Sequence, residues 1–286
     1  MDAAHPDRRH RRILAGRPSA PAHPPPLHPH RPHLDPRPTL ALTMRLSEGA
    51  VDVAGGRELT WDGCVNVRDL GGLGRVRPGA VVRMEAPTRL SRHGWAAAWA
   101  HGVRTVVDLR HASECRPEVA SRPPGITTVR VPLEPPGTPF YERWQRIDNL
   151  ASPLHYPAML AEHPELVVAA VQAIATAAPG CVVFHCAGGK DRTGLLALVL
   201  LTLAAATPGE IIADYLLTFD RMRRRYAELG AGDQLTAVNE LLNGHDTTIA
   251  ASLTATVEAL TMPDYLLDNG LPEADLVALY ARLTTC

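Results

Sequence analysis

Residues 182–194 read VVFHCAGGKDRTG in a chain of 286 residues. The leading apolar, β-branched residues favour a buried strand, and the apolar run that begins at Leu195 favours a helix. A loop that contains glycines joins the two, with Cys186 at its start and Arg192 near its end. A strand, a loop of backbone amides and a helix N-terminus together suit a phosphate or a similar oxyanion. The stretch therefore predicts an anion-binding loop with a cysteine at its base.

Cys186 is the predicted nucleophile. The thiolate is the attacking form of cysteine, and a helix N-terminus with cationic neighbours favours that form. The backbone N–H groups of residues 187–192 can converge on three phosphate oxygens, and Gly188 and Gly189 permit the positive φ angles and close approach that this requires. Arg192 can grip the anion with two parallel hydrogen bonds. We therefore predict phosphoryl transfer to Cys186, followed by attack of water on the cysteinyl phosphate.

The other side chains of the loop have predicted supporting roles. Lys190 is the only lysine of the chain, and it can neutralise a second acidic group on the substrate or pair with Asp191. Thr193 can donate its hydroxyl toward the sulfur. His185 is expected to be buried and hydrogen-bonded, where it would orient the loop rather than shuttle protons. The predicted substrate-binding residues are Ala187, Gly188, Gly189, Lys190 and Thr193.

Phosphoester hydrolysis also requires a general acid that protonates the leaving oxygen. Asp191 is the first choice, because it neighbours Arg192 in the loop. Glu134 follows a short apolar stretch and is placed where a mobile, acid-bearing loop would lie. Asp148 is the third candidate. The residue pattern leaves the three open.

Strand-like and helix-like segments alternate along the body of the chain. Segments predicted to form strands, or strand and turn, are residues 59–67, 80–83, 103–109, 129–131 and 181–184. Helices are predicted over residues 92–101 with Ser91 as N-cap, over 165–177, and from the capping residue Thr207 onward as far as Leu283. Residues 134–157, rich in proline and aromatic residues, are predicted to form a loop or lid. The alternation predicts an α/β fold with a central, mainly parallel sheet flanked by helices, and a helical C-terminal part.

Residues 1–45 differ in composition from the rest of the chain. They hold ten of the 26 prolines, six of the 13 histidines and eight arginines. This composition predicts a disordered tail before one folded domain over residues 46–286. The tail has a net charge of +5, so the body has −6 of the total of −1. Two alternatives stay open: the histidines bind a metal or a partner, or translation starts at Met44.

The cysteine pattern and the net charge indicate the cellular compartment and limit the classes of partner. The five cysteines form no C-x-x-C pair, which argues against a zinc site or a disulfide framework and for reduced thiols in the cytoplasm. The N-terminus lacks the apolar stretch of a signal peptide, although secretion without one stays an alternative. The longest apolar run, residues 195–206, is too short to span a bilayer, so we expect no stable membrane insertion. We also expect no nucleic-acid partner, no metal and no cofactor; the oligomeric state is not indicated.

The loop and three other segments resemble a known family. Residues 185–194, HCAGGKDRTG, resemble the signature of atypical, broad-specificity bacterial tyrosine phosphatases, similar to the secreted mycobacterial phosphatase B, and of lipid phosphatases with the same Lys-Asp-Arg loop. Residues 66–72, NVRDLGG, resemble the family's N-terminal motif. Residues 105–110, followed by Glu114, resemble its next strand, and residues 211–218 resemble the helix after the loop.

The resemblance covers roughly residues 60–220 and, more weakly, the remainder of the body. It implies metal-free hydrolysis of phosphotyrosine, with phosphoserine, phosphothreonine or phosphoinositide as further substrates. The partner would then be a phosphoprotein or a phosphorylated small molecule. It also implies Cys186 as nucleophile, Arg192 as phosphate binder and Asp191 as acid. Animal lipid phosphatases carry Lys directly after the Cys, where this chain has Ala187, and this departure disfavours a preference for phosphoinositides.

Two other functions stay open on the residues alone. A non-catalytic module would hold a phosphate group without turnover, and a sulfurtransferase or arsenate reductase would also use a cysteine in an oxyanion-binding loop. Two further segments have structural interpretations. Residues 66–72 are predicted to form a turn that Arg68 and Asp69 tie down, and the arginines at 221 and 223–225 a solvated helix face. The functional alternative for these arginines is a site for a phosphate-bearing partner.

Overall fold

Within the residues that the computed structural model describes, 56–134, 137–146 and 149–284, five strands form one sheet. The predicted tail, residues 1–45, lies outside the described residues. The strands are β1 Arg68–Asp69, β2 Val81–Met84, β3 Val103–Asp108, β4 Thr127–Arg130 and β5 Cys181–His185, and their order is β1-β2-β5-β3-β4. Only β1 pairs antiparallel; the other pairings are parallel. Every residue of the central strand β5 is buried, as expected for a parallel strand covered on both faces. The predicted α/β fold with a mainly parallel sheet is confirmed.

Helices cover both faces of the sheet. They are α1 Arg92–Ala100, α2 Pro139–Arg146, α3 Tyr156–Glu162, α4 Pro164–Ala175, α5 Asp191–Leu203, α6 Pro208–Glu228, α7 Gln234–Asn243, α8 Ile249–Ala259, α9 Asp264–Asp268 and α10 Glu273–Leu283. Alternation along β5 sends Val182 and Phe184 into the larger core, shared with α4–α10, and Cys181 and Val183 into the smaller core, shared with α1. Cys186 lies on the side of the larger core.

Two predicted helix starts are confirmed. Ser91 caps α1, because its side chain accepts a hydrogen bond from the Gly94 amide. Thr207 and Glu210 form a capping box at the start of α6, with Pro208 in the first turn. Such caps satisfy amides that have no partner within the helix, and each contributes about 1 kcal/mol. These starts are local features, and short-range sequence signals were sufficient to predict them.

The prediction of an irregular loop over residues 134–157 is wrong for the described part of this segment, whereas the alternative of a lid stays a prediction. That part contains α2, two 3₁₀ turns at Asn149–Ala151 and Pro153–His155, and the start of α3. Proline was taken as a helix breaker, but in α2, in the second 3₁₀ turn and in α3 it occupies the first or second position. A missing N–H costs nothing there, because the first amides of a helix have no partner in the helix.

Two other boundaries differ from the prediction. The segment 59–67 is not a strand; pairing starts at Arg68, preceded by one isolated bridge between Glu58 and Arg68. Gly63, with φ of 96°, bends the chain in between. The helix after the loop begins at Asp191 rather than at Leu195, so the end of the loop is already the first turn of α5.

Within the described residues, no single helix is long and apolar enough to cross a membrane, although the bent pair Pro153–Glu162 and Pro164–Ala175 would reach the length and composition together. The described ranges also contain no group of three or more His, Cys, Asp or Glu side chains placed to hold a metal ion.

Candidate active site

A cavity of about 680 Å³ opens over the carboxyl end of β5. Cys186 directly follows this strand and is only 4% exposed. The cavity brings together most of the predicted loop residues, and it adds side chains from the segments after β3 and β4. Its wall includes Cys186, Ala187, Gly188, Lys190, Asp191, Arg192, Glu114 and Glu134. Gly189 and Thr193, both predicted to bind substrate, are not part of this wall.

Carbonyl groups of the loop are fixed by the protein body. The Ala187 carbonyl accepts a hydrogen bond from the Ala86 amide at 2.9 Å. The Gly188 carbonyl accepts from the Asn66 side-chain amide at 3.0 Å, and the Gly189 carbonyl from Arg83 at 2.7 Å. In the described part of the chain, no group accepts a hydrogen bond from the backbone amides of residues 187–189. The amides of Ala187 and Gly188, two residues that line the cavity, can therefore donate to an anion there.

Two glycines of the loop differ in what an added side chain would meet. Gly189 has φ of 69°, and a Cβ there would lie 2.4 Å from the carbonyl oxygen of Met84. Gly188 does not have a positive φ, contrary to the prediction, but a Cβ there would lie 3.0 Å from the hydroxyl of Tyr226. Gly189 allows the left-handed backbone next to β2, and Gly188 leaves room for the Tyr226 side chain of α6 next to the loop.

Arg192 is held by a carboxylate that sequence reasoning had linked only to a strand motif. Its two terminal nitrogens donate to the two oxygens of Glu114 at 2.6 and 2.7 Å. Burial disfavours the guanidinium charge, but Glu114, Cys186 and Glu134 outweigh burial and raise the pKa of Arg192. The pair fixes the plane of the guanidinium, and three of its five N–H groups are not used by Glu114. The two parallel hydrogen bonds that Arg192 was predicted to make to phosphate are thus made to Glu114, and its remaining N–H groups could donate to an anion.

Asp191 is the first residue of α5 and part of the cavity wall. Its Oδ1 is buried and lies 3.7 Å from the Nζ of Lys190. Burial raises the pKa of Asp191, and the nearby charge of Lys190 opposes that shift only in part. A carboxyl group whose pKa is raised keeps its proton to higher pH, which is what a general acid requires.

Glu134, the second acid candidate, is buried and paired, and Asp148, the third, lies outside the described residues. One of its oxygens lies 2.9 Å from the Nε2 of His155, and the other lies 3.6 Å from the Nε of Arg192. His155 is fully buried, and its Nδ1 lies 2.7 Å from the Ser152 carbonyl oxygen. Burial disfavours the imidazolium, but Glu134 outweighs burial and raises the pKa of His155. Glu134 is therefore placed between the imidazole of His155 and the guanidinium of Arg192. Sequence reasoning missed His155, which falls in the segment taken for a loop.

Lys190 points along the protein side of the loop. Its ammonium group donates to the Ala151 carbonyl at 2.9 Å and lies 5.5 Å from the ring centre of Phe219. Together with the 3.7 Å distance to Asp191, these contacts favour the second of its predicted roles, a pair with Asp191. The Thr193 hydroxyl is buried, and no described group forms a hydrogen bond with it, the Cys186 sulfur included.

His185 is fully buried below the loop. Its Nδ1 lies 2.9 Å from the Cys186 carbonyl oxygen, and its Nε2 lies 3.8 Å from a carboxylate oxygen of Asp108. Burial lowers the pKa of His185 to about 4. The imidazole is thus neutral near pH 7, and it can orient the backbone of the loop as a hydrogen-bonding group without a charge.

A buried cluster of charges supports the loop from below. Asp214, on α6, is fully buried and receives hydrogen bonds from Arg68 at 2.8 Å, Arg83 at 2.6 Å and Arg57 at 3.2 Å. Arg83 also bonds the Gly189 carbonyl, so one side chain joins α6 to the loop. Burial alone would raise the pKa of Asp214, but the charges of Arg68 and Arg83 outweigh it and hold this pKa well below its usual range.

Residues 66–72 contain strand β1 and the start of the turn after it, and they also reach the site. Asp69 accepts hydrogen bonds from the amides of Gly71 and Gly79, both at 2.7 Å, which ties the turn down as predicted. Arg68 donates to the Asn66 side chain, which in turn bonds the loop carbonyl of Gly188. The turn is therefore part of the support of the loop, and the resemblance of residues 66–72 and 211–218 to one family was the available signal.

The fold is α/β, and one cavity over the end of β5 brings together Cys186, Arg192 and backbone amides that no described group engages. A sequence model of the tyrosine phosphatase family matches residues 59–285, most of the chain. The chain belongs to the tyrosine phosphatase family.

Two curated relatives agree with this family. One, from Cupriavidus necator, is named "Putative tyrosine-protein phosphatase" and is 32% identical over 178 residues, which is 58% of this chain and 65% of the relative. The other, from Nostoc commune, is named "Tyrosine-protein phosphatase" and is 28% identical over 219 residues, 71% of this chain and 74% of the relative. The match spans just under two thirds of the Cupriavidus protein. The narrower likeness to mycobacterial phosphatase B stays a prediction.

Proposed function

We propose that this protein is a metal-independent tyrosine phosphatase that hydrolyses phosphotyrosine through a cysteinyl-phosphate intermediate on Cys186. One observation carries the proposal: Cys186 lies on the floor of a cavity, below backbone amides that no described protein group engages, beside Arg192 held in place by Glu114. Membership of the tyrosine phosphatase family supports it.

In the first step, the Cys186 thiolate attacks phosphorus, the S–P bond forms, and the bond from phosphorus to the tyrosyl oxygen breaks. The loop amides and Arg192 stabilise the negative charge on the three non-bridging oxygens, which is greatest in the transition state. Asp191 gives its proton to the leaving phenolate oxygen. Its raised pKa and its place on the cavity wall suit this role.

In the second step, water attacks the phosphorus of the cysteinyl phosphate. Asp191, now a carboxylate, takes a proton from this water, the S–P bond breaks, and the thiolate leaves with inorganic phosphate as the product. The buried pair of Glu134 and His155 keeps a fixed carboxylate next to Arg192. Glu134 thereby positions Arg192 in this mechanism and is not the acid.

The mouth of the cavity favours an aryl phosphate. Tyr141, Leu150 and Tyr226 line the cavity along with the loop. Aromatic and apolar side chains gain from burying a tyrosyl ring, and a seryl or threonyl phosphate would bury less area. We therefore rank phosphotyrosine above phosphoserine, phosphothreonine and phosphoinositides as the substrate.

The test is hydrolysis of a small aryl phosphate in the presence of a metal chelator. We expect turnover by the wild type, none by Cys186→Ser, and phosphate binding by that variant measured by calorimetry. A wild type that binds phosphate without turnover would indicate a non-catalytic module. Faster turnover of thiosulfate or arsenate than of the aryl phosphate would indicate sulfur transfer or arsenate reduction. Equal activity of Cys186→Ser and wild type would exclude Cys186 as the nucleophile.

A further inference from the structure

A second cavity, of about 850 Å³, lies outside the candidate active site. Residues 58–65 form one wall, and Arg89 and the C-terminal half of α6 form the other. The second wall contributes four arginines and one glutamate: Arg89, Arg221, Arg224, Arg225 and Glu228. We call this cavity the arginine groove. The proposed mechanism assigns it no role.

The arginines of α6 face the groove because of their spacing. Positions 221, 224, 225 and 228 are separated by three, four and seven residues, which places them on one face of a helix. All four line the groove. Arg223 falls on another face and lines neither this groove nor the active-site cavity. The predicted solvated helix face is therefore confirmed for Arg223 and Arg224, which are exposed, but not for Arg221 and Arg225, which are mostly buried.

The groove has positive charge that its own carboxylates do not fully neutralise. Its four arginines face Glu58, Asp62 and Glu228, which leaves a net +1 in a body whose net charge is −6. Three of the arginines, Arg89, Arg224 and Arg225, lie at 3.1–3.8 Å from the single carboxylate of Glu228. The Arg224 side chain is 91% exposed, and exposed pairs of this kind are worth little. An incoming carboxylate can therefore bind there at small cost.

The groove adjoins the active site on both of its walls. Arg225 lines the groove, and its neighbour Tyr226 lines the active-site cavity. On the other wall, Val65 lines the groove, and its neighbour Asn66 bonds the loop carbonyl of Gly188. Val65 is 43% exposed, so this border offers an apolar contact. A polypeptide that has its phosphotyrosine over Cys186 can thus continue into the groove.

We propose that the arginine groove binds an acidic polypeptide segment next to the phosphotyrosine of a protein substrate. The proposal rests on the proposed function, because it assigns a substrate class to the same site. Charge complementarity supplies the preference for acidic residues, and the shared walls supply the link to the reacting phosphate. Small phosphates do not reach the groove, so the preference concerns protein substrates alone.

The test compares Arg224→Glu with Arg223→Glu. The two variants make the same change of charge at adjacent, exposed positions, and each wild-type arginine pairs within the helix, with Glu228 and Asp220 respectively. Substrates are phosphotyrosine peptides with acidic residues before the phosphotyrosine, after it, or in neither place, and a small aryl phosphate. We expect Arg224→Glu to lower kcat/KM about threefold to tenfold for at least one acidic peptide. It should leave the neutral peptide and the aryl phosphate unchanged.

Arg223→Glu should leave every substrate within about twofold of the wild type, and added salt should shrink the effect of Arg224→Glu. Equal effects of the two variants, or no effect of Arg224→Glu on any acidic peptide, would overturn the proposal. Failure of the proposed function would look different, because the wild type would then not hydrolyse the aryl phosphate.

Discussion

Replacing Asp214 by Asn removes the carboxylate that pairs with Arg57, Arg68 and Arg83. The side chain keeps its shape, but the buried Arg68 and Arg83 lose a counter-charge. Removing one partner of a buried ion pair costs about 3–5 kcal/mol, because the remaining charge stays in a medium that solvates it poorly. A domain of this size loses about 2–4 °C of Tm per kcal/mol, so we expect a decrease of roughly 6–20 °C.

The assay is urea and thermal unfolding followed by circular dichroism, with Asp220→Asn as the matched control. Asp220 is on the same helix, but its side chain is 68% exposed and pairs with an exposed arginine, so its replacement should cost less than about 1 kcal/mol. Below its Tm, Asp214→Asn should also be slower on an aryl phosphate, because Arg83 fixes both Asp214 and the Gly189 carbonyl. Equal stability of the two variants would refute the assignment of Asp214 as the anchor of this cluster.

The difference in stability between wild type and Asp214→Asn depends on pH, because folding lowers the pKa of Asp214. The pKa of Asp214 is lower in the folded protein than the value of about 3.9 in an unfolded chain. Its contribution to stability is therefore fully present above about pH 4, and it is lost as the pH falls through the folded pKa. The gap in unfolding free energy between wild type and Asp214→Asn should stay constant from pH 7 to about pH 5 and narrow below pH 4.

Three further variants test the site. Asp191→Asn should lower kcat about 10²–10⁴-fold for substrates with poor leaving groups and much less for substrates with good ones, and its activity should not fall at high pH. If Glu134→Gln shows this pattern instead, Glu134 is the general acid. Arg192→Lys should lower kcat about 10²–10³-fold, because an ammonium group cannot pair with a carboxylate and a phosphate in one plane, and near wild-type kinetics would contradict that role. Gly189→Ala should lower Tm more than Gly230→Ala does. Both glycines have φ near 68°, but only at Gly189 would the new Cβ lie 2.4 Å from a carbonyl oxygen. Equal Tm values would show that the loop adapts.

The parts of the fold that the sequence predicted are those set by short-range patterns. The apolar run of β5, the loop after it and the capping residues Ser91 and Thr207 each lie within a few positions of the element they define. Strand period and helix capping act over the same distance, so one stretch of sequence carries enough information. The presence of a Cys and an Arg in one cavity wall follows from the same local path of the chain.

The parts that the sequence did not predict depend on distant residues. Asp214 meets Arg68 across 146 positions and Arg83 across 131 positions. Glu134 and His155 meet because two 3₁₀ turns fold back on the loop, in a segment where proline had been taken for a sign of irregular structure. Such pairings depend on the tertiary fold, which the periodicity and composition of the sequence do not determine.

Lys190 is the only lysine in the sequence, and its ammonium group bonds the Ala151 carbonyl under the active-site loop. A lysine-specific protease has therefore a single peptide bond to cut, the one between residues 190 and 191, and that bond is at the N-terminus of α5. Appearance of the two fragments reports exposure of this one bond, either by opening of the loop or by unfolding of the whole chain. Amine-reactive labels likewise have one side-chain target, so the chain carries a built-in probe of its own catalytic region.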